Sequence, residues 1–139
     1  MTDDLKKARE LLAAESYTCV LVKGNQIHTS RERGVKPLLQ LLDTGANMTG
    51  FSAADKVIGK ATAFLYCLLN VKEIYAPVIS RSAAEVLDRH GIRTTCDLVV
   101  EQIFNHRRTG GCPMETAVRE IDDPEAALAA VRETLKRMQ

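Results

Sequence analysis

The sequence predicts an α/β protein in which helices flank a mixed sheet in three layers. Near the amino end, two β-rich segments joined by a Gly-Asn turn predict a hairpin, which forces an antiparallel strand pair. Further along, a strand-helix-strand pattern predicts a parallel pair with a right-handed crossover. One sheet that contains both kinds of pair, with helices on each face, is a three-layer α/β/α sandwich.

The size and composition of the chain fit one globular domain. Its 139 residues, 45% of them hydrophobic, can bury a core, and we place a single domain over residues 1–139. Lys and Arg (19) nearly balance Asp and Glu (18), which argues against a broad nucleic-acid-binding surface. No apolar run is long enough for a membrane helix. The charged amino terminus is not followed by the apolar core of a signal peptide, and the four cysteines are widely spaced. We therefore expect a cytoplasmic protein with reduced thiols.

The amino-terminal third alternates between helix and strand signals. Residues 3–14 carry apolar side chains on one stripe behind two aspartates, which predicts a helix. Residues 17–23 are rich in β-branched and apolar side chains, and residues 26–30 form the returning strand of the hairpin. Pro37 suits a first helical position, and the leucines after it predict a short helix that ends near Gly45.

The middle of the chain contains the longest predicted helix. Residues 52–69 carry apolar side chains at the 3.6-residue period, so we expect one continuous helix there, after a polar loop over residues 44–51. Residues 71–78 are expected to form a strand that ends at Pro77.

The last third begins with a second strand-helix-strand step. Residues 80–90 are expected to form a helix closed by Gly91, and residues 92–100 form a further strand. An irregular segment follows. Two final helices are predicted to begin at Pro113 and Pro124.

A first candidate site lies at the start of the predicted long helix. On one helix, Lys56 and Lys60 share a face, and Asp55 and Gly59 share the neighbouring one. A glycine in a first helical turn admits a close neighbour, and a helix start with two lysines suits an anion. The alternative is structural: Asp55 caps Ser52, the lysines are solvated, and Gly59 lets a second helix or subunit approach.

A second candidate site lies between Asn105 and Glu115. Pro113 places Cys112 at or beside a helix N-cap, where thiols have lowered pKa values and act as nucleophiles or ligands. Glu115 is expected to bond back to the Cys112 amide or to act as a base, and the basic residues 106–108 lie close in sequence. The alternative is a turn with a small, partly buried capping residue.

Common cofactor motifs are missing from the sequence. It contains no GxGxxG, Walker-type, HExxH or GxSxG pattern, and its cysteines and histidines form no zinc-finger spacing. We therefore expect neither a cofactor nor a metal. His28 and His90 fit structural positions in a strand and at a helix end.

The order of elements is similar to that of the cytidine deaminase-like fold. In that fold, zinc is held by a His/Cys-x-Glu motif at the start of the central helix and by a Pro-Cys-x-x-Cys motif at the next strand–helix junction. Residues 51–56 and 77–81 of this chain contain neither motif, with Val78 and Arg81 at the places of two thiolates. The resemblance therefore implies the fold while excluding a standard zinc deaminase.

Residues 5–120 also resemble an uncharacterised bacterial and archaeal family that has this fold and no zinc ligands. The resemblance rests on residues 33–39, 55–61 and 112–115. It implies that the last two segments belong to one pocket, at the place of the deaminase site.

Two function hypotheses follow. In the first, a metal-independent pocket binds or acts on a small anionic or nucleotide-like ligand: Asp55 and Glu115 are the acid/base candidates, Lys56 and Lys60 hold the anion, and Cys112 is a nucleophile or polar wall. In the second, the protein is a non-catalytic scaffold or homo-oligomer. The grouping of polar residues at two helix starts favours the first hypothesis, and their capping alternatives favour the second.

Overall fold

A mixed β-sheet lies at the centre of the protein, whose computed structural model describes residues 1–103 and 112–138. Within that described part the strands are β1 (Cys19–Lys23), β2 (Gln26–Ser30), β3 (Ser52–Asp55), β4 (Val57–Ile58), β5 (Glu73–Ser80) and β6 (Arg93–Val100). Strand β1 is antiparallel to β2 and β3, whereas β5 is parallel to β3, β4 and β6. The sheet therefore contains both predicted kinds of strand pair.

Strands β3 and β4 form one interrupted line along β5. Ser52 faces Glu73 and Val57 faces Val78, so the register is the same on both sides of the break at Lys56. Because β6 pairs with the same stretch of β5, it lies on the opposite edge of that strand. The sheet thus runs from β2 through β1, the β3–β4 line and β5 to β6.

Helices cover both faces of this sheet. In the described residues they are α1 (Asp3–Ala14), α2 (Lys36–Asp43), α3 (Lys60–Leu69), α4 (Arg81–Arg89), α5 (Pro113–Val118) and α6 (Pro124–Met138). Helix α1 packs Leu5 and Leu12 against Val20 and Tyr75 on one face. Helices α2 to α4 contribute to the larger core cluster on the other face. The α/β class with a mixed sheet between helices is confirmed, and the layering is consistent with a three-layer sandwich.

Helix α3 is enclosed on nearly every side. Phe64, Leu65 and Tyr66 are fully buried, and α5 and α6 pack against α3 on the side away from the sheet. A helix that is apolar around its whole circumference is buried within a protein. The start of α3 is therefore held between the sheet and the carboxyl-terminal helices.

Several predicted elements are confirmed because short-range signals define them. Helix α1, the hairpin, and helices α4, α5 and α6 lie where the sequence predicts them, within a residue or two. Gly91 closes α4 with a φ of +74°, and Ser80 caps its start by accepting a hydrogen bond from the Ala83 N–H.

The continuous helix predicted over residues 52–69 is wrong. Residues 52–55 form a central strand, buried on both faces, and the helix begins only at Lys60 after Gly59 as N-cap. A fully buried strand and a buried helix share the same apolar composition, so periodicity alone does not separate them. As a consequence, Lys56 and Lys60 do not share a helix face.

The predicted strand end at Pro77 is also wrong. Strand β5 runs through Pro77 to Ser80, and neither neighbouring ladder pairs a residue with Pro77. Pro77 has no N–H to donate to a neighbouring strand. The break between β3 and β4 at Lys56 lies beside it.

No helix in the described residues is long and apolar enough to cross a membrane.

Candidate functional site

A cleft opens at the carboxyl edge of the parallel strands. In open α/β sheets, ligands bind in crevices at this edge. Here β5 and β6 end next to the starts of α3, α4 and α5, and the cavity between them has a volume of about 280 Å³. We name it the carboxyl-edge cleft, and its lining residues are Lys60, Ser82, Glu101, Gln102, Ile103, Cys112, Glu115, Thr116 and Arg119.

Glu115 caps the start of α3 from a distant part of the chain. Its Oε1 accepts a hydrogen bond from the Lys60 N–H at 2.8 Å, and its Oε2 accepts one from the Ala61 N–H at 3.0 Å. A Cβ on Gly59 would lie 2.5 Å from the Glu115 carboxyl carbon. The close neighbour that the sequence predicts for Gly59 is thus a carboxylate of the same chain.

Two cationic side chains stand at the cleft. The Lys60 Nζ donates to the Arg119 backbone carbonyl at 2.9 Å and lies 5.7 Å from the centre of the Phe64 ring. Arg119 follows α5 and is exposed. Within the described residues, neither side chain forms an ion pair with a carboxylate.

An exposed ion pair borders the cleft at the ends of β5 and β6. Arg81 and Glu101 approach to 2.7 Å, and the Arg81 guanidinium lowers the pKa of Glu101. Ser82 lies beside this pair, with its hydroxyl 3.3 Å from that of Ser80. The negative charge of Glu101 is therefore already matched by a cation.

Cys112 lies at the N-cap of α5, as predicted. Its side chain makes no capping hydrogen bond, while its backbone N–H donates to the Ile103 carbonyl at 3.1 Å and its own carbonyl accepts from the Thr116 N–H. The thiol is partly buried and packs against the main core. The predicted return bond from Glu115 to the Cys112 amide is wrong, because the Glu115 carboxylate is turned to α3.

Asp55 lies away from the cleft, in a buried polar cluster. Its Oδ2 accepts a hydrogen bond from the Tyr66 hydroxyl at 2.7 Å, and that hydroxyl lies 3.2 Å from the Cys19 Sγ. Burial raises the pKa of Asp55 to about 7 and also raises that of the Cys19 thiol. The predicted capping of Ser52 by Asp55 is wrong, since both residues belong to one strand.

Lys56 lies on the other face of the sheet. It lines a groove of about 480 Å³ beside α1, together with Arg9, Val57, Tyr75 and others. The alternation of a strand explains this, because Lys56 follows Asp55 at the end of β3.

The predicted site is therefore divided. The structure brings Lys60, Cys112 and Glu115 together, with Gly59 next to them, and it separates Asp55 and Lys56 from that group. Asn105 and residues 106–108 lie outside the described residues.

Sequence reasoning missed several lining residues, namely Ser82, Glu101, Gln102 and Arg119. Glu101 comes directly after β6, and Ser82 is the second residue of α4, which follows β5, so the rule that ligands bind at carboxyl edges would have found them. The described residues contain no group of three or more His, Cys, Asp or Glu side chains placed to hold a metal ion.

The sequence and the fold both match one family. Residues 7–135 match the domain of unknown function DUF1893, also described as TM1506. The chain belongs to the DUF1893 family. A DUF1893 family protein (TM1506) from Thermotoga maritima, solved at 2.70 Å resolution, superimposes with a TM-score of 0.88 at 26% sequence identity. The match covers 96% of this chain and 90% of the Thermotoga protein. No curated protein matches the chain significantly.

Proposed function

We propose that the carboxyl-edge cleft binds a small anionic or nucleotide-like ligand. The observation that supports this most strongly is the charge of its lining. Of the four charged side chains that line it, Glu101 is paired with Arg81, and Glu115 is bound by two α3 amides. Lys60 and Arg119 keep their charge without an acidic partner among the described residues. Together with Arg81, which borders the cleft, three cations therefore stand against two carboxylates, so the cleft has a surplus of one positive charge.

We assign the ligand contacts to side chains from three segments. Lys60 and Arg119 would hold the anion, and the Ser82 hydroxyl would donate a hydrogen bond from the opposite wall. Glu115 fits a positioning role better than that of a base, since both of its oxygens already accept from α3. Asp55 lies in the buried cluster with Tyr66 and takes no direct part.

We further propose a cytidine deaminase-like fold without zinc chemistry. Two features support it. The strand order runs from an antiparallel hairpin to three parallel lines, namely the β3–β4 line, β5 and β6. The start of α3 and the β5–α4 junction also meet at one cleft. Gly59 and Lys60 stand at that helix start, and Val78 and Arg81 at that junction, so neither place supplies a zinc ligand.

Ligand-induced stabilisation of matched lysine variants tests the binding proposal. Inorganic phosphate, AMP and CMP would be added to the wild type, Lys60→Met, Arg119→Met and Lys56→Met, with thermal shift and calorimetry as readouts. Lys56→Met is the matched control because Lys56 faces the α1 side of the sheet. We expect at least one probe to bind the wild type and the control alike and to bind the two cleft variants about tenfold more weakly. Absence of binding, or equal binding to all four proteins, would refute the proposal.

A reaction in the cleft would need a reactive group, and the Cys112 thiol is the candidate nucleophile that lines it. The pH dependence of its alkylation can be followed by peptide mass spectrometry, with Cys67 as internal reference, because burial raises the pKa of Cys67 to about 11. A Cys112 thiol that reacts well below its ordinary pKa of about 8.5 would support a thiol enzyme. A thiol that titrates ordinarily would argue against Cys112 as a nucleophile.

We also propose a cytoplasmic location. All four cysteines are free thiols, which fits a reducing compartment.

A further inference from the structure

A second cavity opens at the amino edge of the parallel strands, at the other end of the sheet from the carboxyl-edge cleft. Strands β3, β5 and β6 begin there in one row, with Ser52 in register with Glu73 and Glu73 in register with Arg93. The cavity has a volume of about 430 Å³, and its lining includes the charged residues Lys72, Glu73, Asp88 and Arg93. We call it the amino-edge cavity, and it shares no lining residue with the carboxyl-edge cleft.

Glu73 is the buried member of this charged group. Only 2% of its surface is exposed, and its Oε2 accepts hydrogen bonds from the hydroxyls of Thr2 and Ser52. Its Oε1 accepts no hydrogen bond from the described residues. In that part of the chain every buried side-chain oxygen has a partner, so Oε1 is not buried and opens to the cavity that Glu73 lines. A carboxylate fixed in the protein thus presents one oxygen to the cavity.

The charges around the cavity do not neutralise one another by direct contact. Burial raises the pKa of Glu73, but the Ser52 and Thr2 hydroxyls and the Lys72 and Arg93 charges lower it, and the net pKa lies below its ordinary value. Neither cation forms an ion pair with a carboxylate among the described residues, and Asp88 forms none there with a cation. Two cations and two carboxylates therefore surround the cavity without touching.

Helix α4 ends at the same cavity. Gly91 and Ile92, which follow this helix, belong to the lining, and Asp88 lies in its last turn. The carboxyl end of a helix carries partial negative charge and attracts a cation. The cavity therefore offers Glu73, Asp88 and a helix end to a positive group, and it offers the two cations to a negative one.

We propose that the amino-edge cavity binds a free α-amino acid. The α-ammonium group donates a hydrogen bond to the Glu73 Oε1, and Arg93 and Lys72 hold the α-carboxylate. Hydrogen bonds between charged groups are the strong ones, and a zwitterion supplies both partners that the lining charges lack. A plain anion would meet two carboxylates here, and a plain cation would meet two cations. This site goes beyond anion binding at the carboxyl-edge cleft and rests on different residues.

Calorimetry on the full chain with matched ligands and variants tests this site. Glycine, L-serine, L-leucine, L-lysine and L-glutamate are titrated first, followed by the amine and the carboxylic acid that correspond to the tightest binder. The variants are Glu73→Gln, whose oxygen can still accept from Thr2, and Arg93→Met. Their controls are Glu10→Gln and Arg33→Met, which change exposed side chains outside the cavity. Circular dichroism spectra check that each variant folds.

We expect at least one amino acid to bind the wild type and both controls alike. Its amine and its acid should bind about tenfold more weakly or worse, as should the amino acid to Glu73→Gln and Arg93→Met. The cleft variant Lys60→Met should bind the amino acid like the wild type, which separates this site from the carboxyl-edge cleft. If Glu73→Gln does not fold, the ligand series and Arg93→Met decide. No binding at millimolar concentration, an amine or acid that binds as tightly as the amino acid, or an Arg93→Met protein equal to Arg33→Met would overturn the proposal.

Discussion

Glu115 occupies the space that a side chain on Gly59 would need. A Cβ at position 59 would come within 2.5 Å of the Glu115 carboxyl carbon and one of its oxygens. From that position the carboxylate accepts hydrogen bonds from the first two amides of α3. The pair thus joins the two sequence segments singled out as candidate sites, and it does so through a contact that stabilises the fold.

This contact also occupies the end of α3 that would otherwise attract an anion. A helix N-terminus attracts anions because its first amides are unpaired and the helix dipole is positive there. At Lys60 and Ala61 those amides already bind Glu115. An external anion in the cleft therefore relies on the Lys60 and Arg119 side chains rather than on these backbone donors.

Replacing Gly59 by alanine should destabilise the protein through Glu115. The added methyl forces the carboxylate away from α3, and we expect a loss of about 1–3 kcal/mol in the free energy of unfolding. Urea denaturation measures it. In a Glu115→Ala background the same change should cost much less, because the methyl then meets an empty space. Equal losses in both backgrounds would contradict the proposed contact.

Removing the charge of Glu115 should weaken the α3 cap. In Glu115→Gln the side-chain amide keeps one oxygen that accepts a hydrogen bond, but its NH2 group faces the second α3 N–H, which is also a donor. The favourable interaction of the carboxylate with the helix dipole is lost as well. We expect a loss of about 1–2 kcal/mol in the free energy of unfolding. Glu120→Gln, an exposed change after the same helix, serves as the control and should be neutral. A Glu115→Gln protein as stable as that control would refute the capping role.

Local chemistry explains which elements the sequence could predict. The hairpin is defined by a two-residue turn, and α4 by Ser80 before it and Gly91 after it. Helices α5 and α6 begin at prolines that suit a first helical turn. Each of these signals acts within a few residues, so the sequence displays it directly.

Long-range packing explains what the sequence could not predict. Residues 52–55 become a strand because β1 and β5 pair with them from both sides. That pairing separates Asp55 from Lys60 and places it beside Tyr66, eleven residues further along the chain. The capping of Lys60 by Glu115 spans 55 residues. No local pattern marks either partner, although Gly59 did indicate that something approaches closely.

Removing the Tyr66 hydroxyl should destabilise the buried cluster. Tyr66→Phe leaves Asp55 without its strongest hydrogen-bond donor and Cys19 without its neighbour. We expect a loss of about 1–3 kcal/mol in the free energy of unfolding. The loss should be larger at pH 8 than at pH 5, because an ionised Asp55 depends more on that donor. Tyr17→Phe is the control, and matching losses in the two variants would contradict this assignment.

The buried carboxyl of Asp55 should make stability fall as the pH rises. Burial raises its pKa from 3.8 to about 7 in the folded protein, so the folded state holds a proton that the unfolded state releases. The resulting stabilisation is complete below pH 4 and is lost as the pH rises toward 7.

Asp55→Asn removes this dependence, because its side chain stays neutral at every pH. Relative to the wild type, the variant should gain roughly 2–4 kcal/mol in the free energy of unfolding between pH 4 and pH 8. Urea denaturation across that range measures the difference, with the exposed Asp88→Asn as control. Because only the Asp55 titration differs between wild type and variant, two curves that run parallel across this range would show that Asp55 titrates alike in the folded and unfolded chain.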